Sequence, residues 1–193
     1  EPVFHYIASS PFASRIPSGR GDVIAMDNIT SITPRFAVTS ELQPEDFAEI
    51  ARLGFKAIVS NRPDGEDASQ LTARREAVLA WQAGLQFRHV PASKLDLFTD
   101  ETIENMADAL AGLQGPVLAH CKSGIRSAIV WAAASARTQS VDCVMDALAA
   151  ANLDLDFIRD DLEQQADRAR WLGTSPALDC ECDVRTLPTE AVA

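Results

Sequence analysis

The sequence predicts an α/β fold with a mostly parallel central sheet of about five strands and helices on both faces. Three observations carry this expectation. Short apolar runs alternate with longer segments of helical period. Gly, Pro and Asn-Asp clusters separate them as turn signals. The segment Ser127 to Thr138 is apolar nearly all round, so it reads as a buried helix.

Residues 1–28 are rich in Ser, Gly, Pro and Arg without a period and read as a loose arm. The domain proper is expected over 29–171. Ile29 to Ile32 and Phe36 to Val38 read as two short strands around Thr33-Pro34. Pro44 opens a helix, with Glu45 and Asp46 where the helix dipole favours acids and Gly54 as its stop. Phe55 to Ser60 fits a buried strand, and Asn61-Arg62-Pro63-Asp64-Gly65 is a turn cluster. A helix is expected from Ala68 to Ala83, a strand from Leu85 to Val90 and a loop from Pro91 to Thr99. Ile103, Met106, Ala107, Leu110 and Leu113 keep helical spacing up to Gly115. Val117 to His120 is the fifth strand. Two amphipathic helices follow Thr138, near 141–151 and 157–171. The tail 172–193 has no period and reads as mobile. In sheets of this kind ligands bind beyond the C-terminal strand ends, here at Asn61–Gly65, Pro91–Thr99 and Cys121–Arg126.

The chain has 193 residues, with 17 Lys and Arg against 28 Asp and Glu, a formal net charge of -11. That balance argues against nucleic acid and anionic membranes as partners, since both need basic surface. The longest uncharged apolar stretch, Ala128 to Ala136, is far short of the roughly 20 residues of a bilayer span. With no visible leader peptide, a cytoplasmic location is expected, although the chain starts at Glu1 without Met. Four cysteines and three histidines show no zinc spacing and no disulfide-scaffold density, so no metal and no cofactor are expected.

The central feature is Val117-Leu118-Ala119-His120-Cys121-Lys122-Ser123-Gly124-Ile125-Arg126-Ser127. A buried strand delivers a cysteine, and Arg126 opens the buried helix. The loop amides of Lys122, Ser123, Gly124 and Ile125 and the free N–H groups of the first helical turn form an anion cradle. The helix dipole and Arg126 both favour a thiolate, which makes Cys121 a nucleophile. Gly124 allows positive φ. Arg126 can grip an oxyanion with two parallel N–H bonds. The Ser127 hydroxyl is in reach of the sulfur. The alternative is a buried cysteine in a tight strand–helix turn with Arg126 exposed.

The run His120 to Ser127 resembles both the cysteine-dependent phosphatase signature and the rhodanese active loop. Together with Ile32-Thr33-Pro34-Arg35-Phe36-Ala37-Val38, Pro44-Glu45-Asp46 and Asn61-Arg62-Pro63-Asp64-Gly65-Glu66, it is similar to the beta-lactamase-hydrolase-like, phosphatase-like domain family over about residues 29–168. The resemblance implies the dual-specificity-phosphatase type of α/β fold. It leaves two reactions open, because members have been called phosphatases and sulfur transferases.

Phosphatases of this superfamily carry five residues between Cys and Arg, and here there are four. A phosphoryl group needs donors for three equatorial oxygens. A shorter loop with one fewer amide suits the terminal sulfur of a persulfide better. A phosphatase also needs a general acid. Lys94 stands where dual-specificity phosphatases usually carry Asp, which leaves Asp96 as the nearest candidate or as a solvated loop carboxylate. Asp100 reads as a first-turn residue of the next helix. Persulfide transfer between thiols needs no strong acid.

Arg62 and Asp64 line the pocket or serve turn chemistry. His120 tunes the cysteine, as the resemblance implies, or packs at a strand end. His89 reads as a core residue, Cys143 as buried and inert, and Cys180 and Cys182 as tail cysteines. The expected function is therefore a rhodanese-like sulfur transferase with a persulfide on Cys121. Its partners would be a small sulfur donor, a thiol acceptor and a persulfide dioxygenase or other sulfide-oxidising enzyme, fused or separate. The alternatives are a cysteine phosphatase acting on a phosphate anion and a non-catalytic oxyanion-binding module.

Overall fold

The structure is a computed structural model that describes residues 28–173. The expected arm and tail, with Cys180 and Cys182, lie outside the described residues except at their inner ends. The sheet contains β1 (Thr30–Thr33), β2 (Phe36–Thr39), β3 (Ala57–Ser60), β4 (Gln86–His89) and β5 (Val117–His120). Their spatial order is β1-β2-β5-β3-β4. β1 and β2 are antiparallel, and the other pairings are parallel. β5 thus lies at the centre, with Thr39 and Ser60 flanking His120 in register.

All residues of β2, β3 and β5 are buried, as in a parallel sheet covered on both faces. The period of two divides them between two cores. Ala37, Ile58 and Leu118 belong with Phe47 of α1 (Asp46–Arg52) and Ala80 of α2 (Ala73–Gln82). Val38, Val59 and Ala119 belong with the opposite layer of α3 (Asp100–Gly112), α4 (Ile125–Ser135), α5 (Val141–Ala150) and α6 (Arg159–Trp171). α4 is buried from Ser127 to Ser135, and Trp131 stacks on Phe36 with ring centroids 5.5 Å apart.

Of the helix starts that differ from expectation, two matter for the site. The helix expected from Ala68 begins at Ala73, capped by the Thr72 hydroxyl on Arg75 N–H. Residues 64–72 instead form a loop fixed by local polar bonds. Asp64 accepts from Ala73 N–H at 2.7 Å, and Gln70 donates to the Pro63 carbonyl at 2.7 Å. The helix expected from Ser127 begins at Ile125, which places Arg126 inside its first turn.

Candidate active site

Cys121 follows the last residue of the central strand and is 1% exposed. The Gly124 N–H donates to its Sγ at 3.1 Å. Gly124 takes φ 88° as it caps α4, and a Cβ built there would stand 3.2 Å from the Thr39 carbonyl oxygen. The first backbone bond of α4 runs from Ala128 N–H to the Gly124 carbonyl. Among the described residues, the N–H groups of Ile125, Arg126 and Ser127 have no backbone or side-chain acceptor. They form the donor cluster at the positive end of the helix dipole, beside the sulfur. A hydrogen-bond donor and the positive end of the dipole thus converge on the Cys121 sulfur.

Arg126 is anchored on one side. Its Nη1 donates to the Asn61 carbonyl at 3.4 Å and its Nη2 to Glu66 Oε1 at 2.6 Å. Nε takes no bond among the described residues, so Nε–H and the second Nη2 hydrogen form a fork for an oxyanion. Glu66 also accepts from Arg62 Nε at 3.0 Å. Burial pushes the Glu66 carboxyl up, but its bonds to Arg126 and Arg62 outweigh this and hold it below the usual carboxylate range. Arg62 is 4% exposed and spends its other nitrogens on Glu41 at 2.5 Å and Asp67 at 2.6 Å. Burial opposes its charge, yet Glu66 and Glu41 raise its pKa above the ordinary guanidinium value. Lys122 pairs with Asp67 at 3.0 Å, and Lys122 first, then Arg62, keeps that carboxyl low.

The other expected residues sit as follows. Asp64 is engaged at the start of α2, which is the turn alternative rather than the pocket. Asp96 is exposed on the loop after β4 and accepts from Ser93 Oγ at 2.5 Å. Asp100 pairs with Arg137 and Arg168, away from the cysteine loop. The Ser127 hydroxyl is buried without a hydrogen-bond partner, so it does not hold the sulfur. His89 is half-buried, with Nε2 2.8 Å from the Arg62 carbonyl. Cys143 is buried and disulfide-bonded, which leaves Cys121 as the free thiol among the described residues. No group of three or more His, Cys, Asp or Glu that could hold a metal occurs among the described residues.

Thr39 and Glu76 escaped the sequence reading, and Asn61 and Glu66, placed there in the turn after the third strand, were given no role of their own. Asn61 donates to the Val90 carbonyl at 2.9 Å and fixes the β3 exit. Glu76 lies in the first turn of α2, 3.3 Å from His120 Nε2, with both side chains buried. Buried polar atoms without a hydrogen-bond partner gather here: Thr39 Oγ1, Asn61 Oδ1, Glu76 Oε2, both His120 nitrogens and Ser127 Oγ. Buried polar groups are ordinarily satisfied, so this concentration marks the strand ends as a site.

A mostly parallel sheet that feeds a cysteine into the open end of a buried helix, with an arginine in that helix's first turn, is the cysteine-phosphatase class of fold. Residues 28–138 match the family described as Beta-lactamase hydrolase-like protein, phosphatase-like domain, and the chain belongs to that family. Curated relatives include the Beta-lactamase hydrolase-like proteins of Xylella fastidiosa (strain Temecula1) and Agrobacterium fabrum (strain C58). They are 35% identical over 104 residues and 33% over 96, or 54% and 50% of this chain. The chain spans only 24% and 22% of their lengths. A crystal structure of a candidate phosphatase from Neisseria meningitidis Z2491 is 29% identical, with a TM-score of 0.61, covering 71% of this chain and 97% of that one. Tk-PTP, at 19% identity and TM-score 0.54 over 75% of this chain and 97% of that one, shares the fold.

These matches overturn the expected sulfur transferase in favour of its phosphatase alternative. The physical reason lies at the start of α4. Counting residues between Cys121 and Arg126 suggested too few amides for a phosphoryl group. The loop and first helical turn nevertheless leave the N–H groups of Ile125, Arg126 and Ser127 without acceptors among the described residues, three donors despite the four-residue spacing. Three equatorial oxygens can therefore be served without a fifth loop residue.

Proposed function

We propose that this domain is a cysteine-dependent phosphatase that hydrolyses phosphate monoesters through a phosphocysteine on Cys121. The carrying observation is the Cys121 sulfur, held by Gly124 N–H beside three N–H groups without acceptors and the open fork of Arg126. The family match supports the same reading. The Cys121 thiolate attacks phosphorus, the S–P bond forms and the ester P–O bond breaks. The helix N–H groups and Arg126 bind the equatorial oxygens, where charge spreads in the transition state. Asp96, on the loop leaving β4 at the ligand edge, gives its proton to the departing oxygen. Water then attacks phosphorus, Asp96 takes back a proton, the S–P bond breaks and inorganic phosphate leaves.

The test is release of inorganic phosphate from aryl and alkyl monoesters, with intact mass measured after acid quench. A phosphoryl adduct is expected in the wild type and none in Cys121→Ser. Arg126→Lys loses the bidentate grip, and kcat is expected to fall about 100-fold or more. Asp96→Asn is expected to slow alkyl esters, which need the proton, far more than aryl esters. Turnover that survives Cys121→Ser would sink the proposal, and equal rates for both ester types in Asp96→Asn would remove Asp96 from it.

A further inference from the structure

The loop that carries Asp96 exposes its tip: Lys94, Leu95 and Asp96 lie open to solvent. A general acid must stand within hydrogen-bond reach of the departing oxygen, so something other than burial has to hold this tip in place. Its first end is fixed at Ala92, which is buried and donates its N–H to the Asn61 carbonyl at 3.2 Å. Its second end meets a polar cluster that the chemistry above does not use. Gln165 of α6, 3% exposed, donates through Nε2 to the Phe98 carbonyl at 3.3 Å. Its Oε1 accepts from Arg137 Nε at 3.2 Å and Nη2 at 3.0 Å. Arg137, two residues beyond the end of α4, also pairs with Asp100 at 2.5 Å and with Glu104 at 3.4 Å. Arg168 of α6 takes the other Asp100 oxygen at 2.9 Å.

Burying an amide and a guanidinium is costly unless their hydrogen bonds are made, and here those bonds go to the residues on either side of Thr99. Thr99 is the link to the acid. Its N–H and its hydroxyl both donate to the Asp96 carbonyl, at 3.2 Å and 3.0 Å. A path of bonds therefore runs from Arg137 and Gln165, through the consecutive residues Phe98, Thr99 and Asp100, to the backbone of Asp96. We infer that Arg137 and Gln165 are positioning residues that clamp this loop so that Asp96 reaches the departing oxygen. The helix α4 opens in the cysteine loop with Arg126, so a clamp just beyond its far end refers the acid and the nucleophile to one buried helix. The inference rests on the phosphatase reading in taking Asp96 as the acid. Hydrogen exchange in the loop reads the clamp without any turnover.

The experiment compares wild type, Gln165→Met, Arg137→Lys, Asp96→Asn and the double variant Gln165→Met with Asp96→Asn. The probes are para-nitrophenyl phosphate as aryl ester and glycerol phosphate as alkyl ester. Gln165→Met keeps the length of the side chain and removes its polar contacts. Its kcat for the alkyl ester is expected to fall about tenfold, since a displacement of about 1 Å at a reacting group costs up to about 100-fold. The aryl ester, whose leaving group departs without a proton, is expected to keep its kcat within about twofold, and KM is expected to hold for both. Arg137→Lys, which keeps the charge and loses the fork, is expected to fall between wild type and Gln165→Met. In the Asp96→Asn background, Gln165→Met is expected to cost nothing further. Deuterium uptake over residues 93–99 is expected to rise in Gln165→Met, while uptake over the cysteine loop, 119–128, stays at the wild-type level. An equal loss for both esters, which a purely structural defect would give, overturns the inference. So does a further alkyl loss in the Asp96→Asn background, and so does unchanged uptake over 93–99. Should the wild type turn over neither ester, the phosphatase reading falls and the positioning role with it, whatever the uptake shows of the clamp. Should Gln165→Met fail to fold, Asp100→Asn, at a side chain 43% exposed, releases Arg137 and carries the same readouts.

Discussion

Gly124 carries two constraints at once. Its backbone is left-handed at φ 88°, where a side chain costs roughly 1–2 kcal/mol. A Cβ there would also press on the Thr39 carbonyl at 3.2 Å, a backbone atom that β2 holds in the sheet. The same residue turns its N–H toward the Cys121 sulfur. Gly124→Ala is therefore expected to lower stability by about 1–2 kcal/mol in urea unfolding. It is also expected to slow Cys121 alkylation at about pH 6, because the loop must shift and the N–H bond to sulfur weakens. A variant with wild-type unfolding and wild-type alkylation would show that the loop relaxes without strain.

At the scale of elements, the loop between β3 and α2 joins the fold to the site. Glu66 bridges Arg62 and Arg126, and Asp67 bridges Arg62 and Lys122, so this loop ties its own Arg62 to the two cations of the segment that follows β5. Both carboxyls are held below their ordinary range in the folded state. A depressed folded pKa contributes stability above the unfolded value, about 4, and that contribution is lost as pH falls through the folded value. Glu66→Gln is thus expected to lower the melting temperature at about pH 7 and to show a shallower further loss between about pH 5 and 3 than the wild type. Parallel melting curves against pH would contradict this. The same loop shows what the sequence could and could not reveal. Cys121, Gly124 and Arg126 were legible because strand, turn and helix follow one another within a dozen residues. Glu66 meets Arg126 across 60 positions, and no local pattern announces such a pairing. The periodicity of 68–83 suggested a longer helix, but Asp64, Gln70 and the Arg62 cluster hold its first residues as loop. The sulfur reading came from the four-residue spacing between Cys121 and Arg126 and from Lys94 at the acid position, and spacing alone does not show how many N–H groups the folded turn leaves open.

At the scale of the whole molecule, charge bears on which substrates the proposed phosphatase would take. The chain carries a formal net charge of -11. The three cations of the site, Arg62, Arg126 and Lys122, are matched by three carboxylates, Glu41, Glu66 and Asp67. The cradle N–H groups and the free Arg126 edge can hold one phosphoryl group, but no unpaired cation of this network remains for a second. Glu41 and Asp67 have side chains 46% and 37% exposed, so they present negative charge to whatever flanks the phosphate. A substrate with several phosphates, or with acidic neighbours, meets repulsion that one cradle cannot offset. Among singly phosphorylated peptides of one length, those flanked by Lys and Arg are expected to exceed those flanked by Asp and Glu in kcat/KM by about tenfold at low salt. The gap is expected to narrow at about 0.5 M salt, where screening shortens the reach of the rim charges to a few ångströms. Glu41→Gln, which removes a rim charge while leaving Cys121 and Arg126 in place, is expected to narrow it at low salt as well. A preference for acidic flanks, or one that salt leaves untouched, would mean that shape rather than the rim's field selects the substrate.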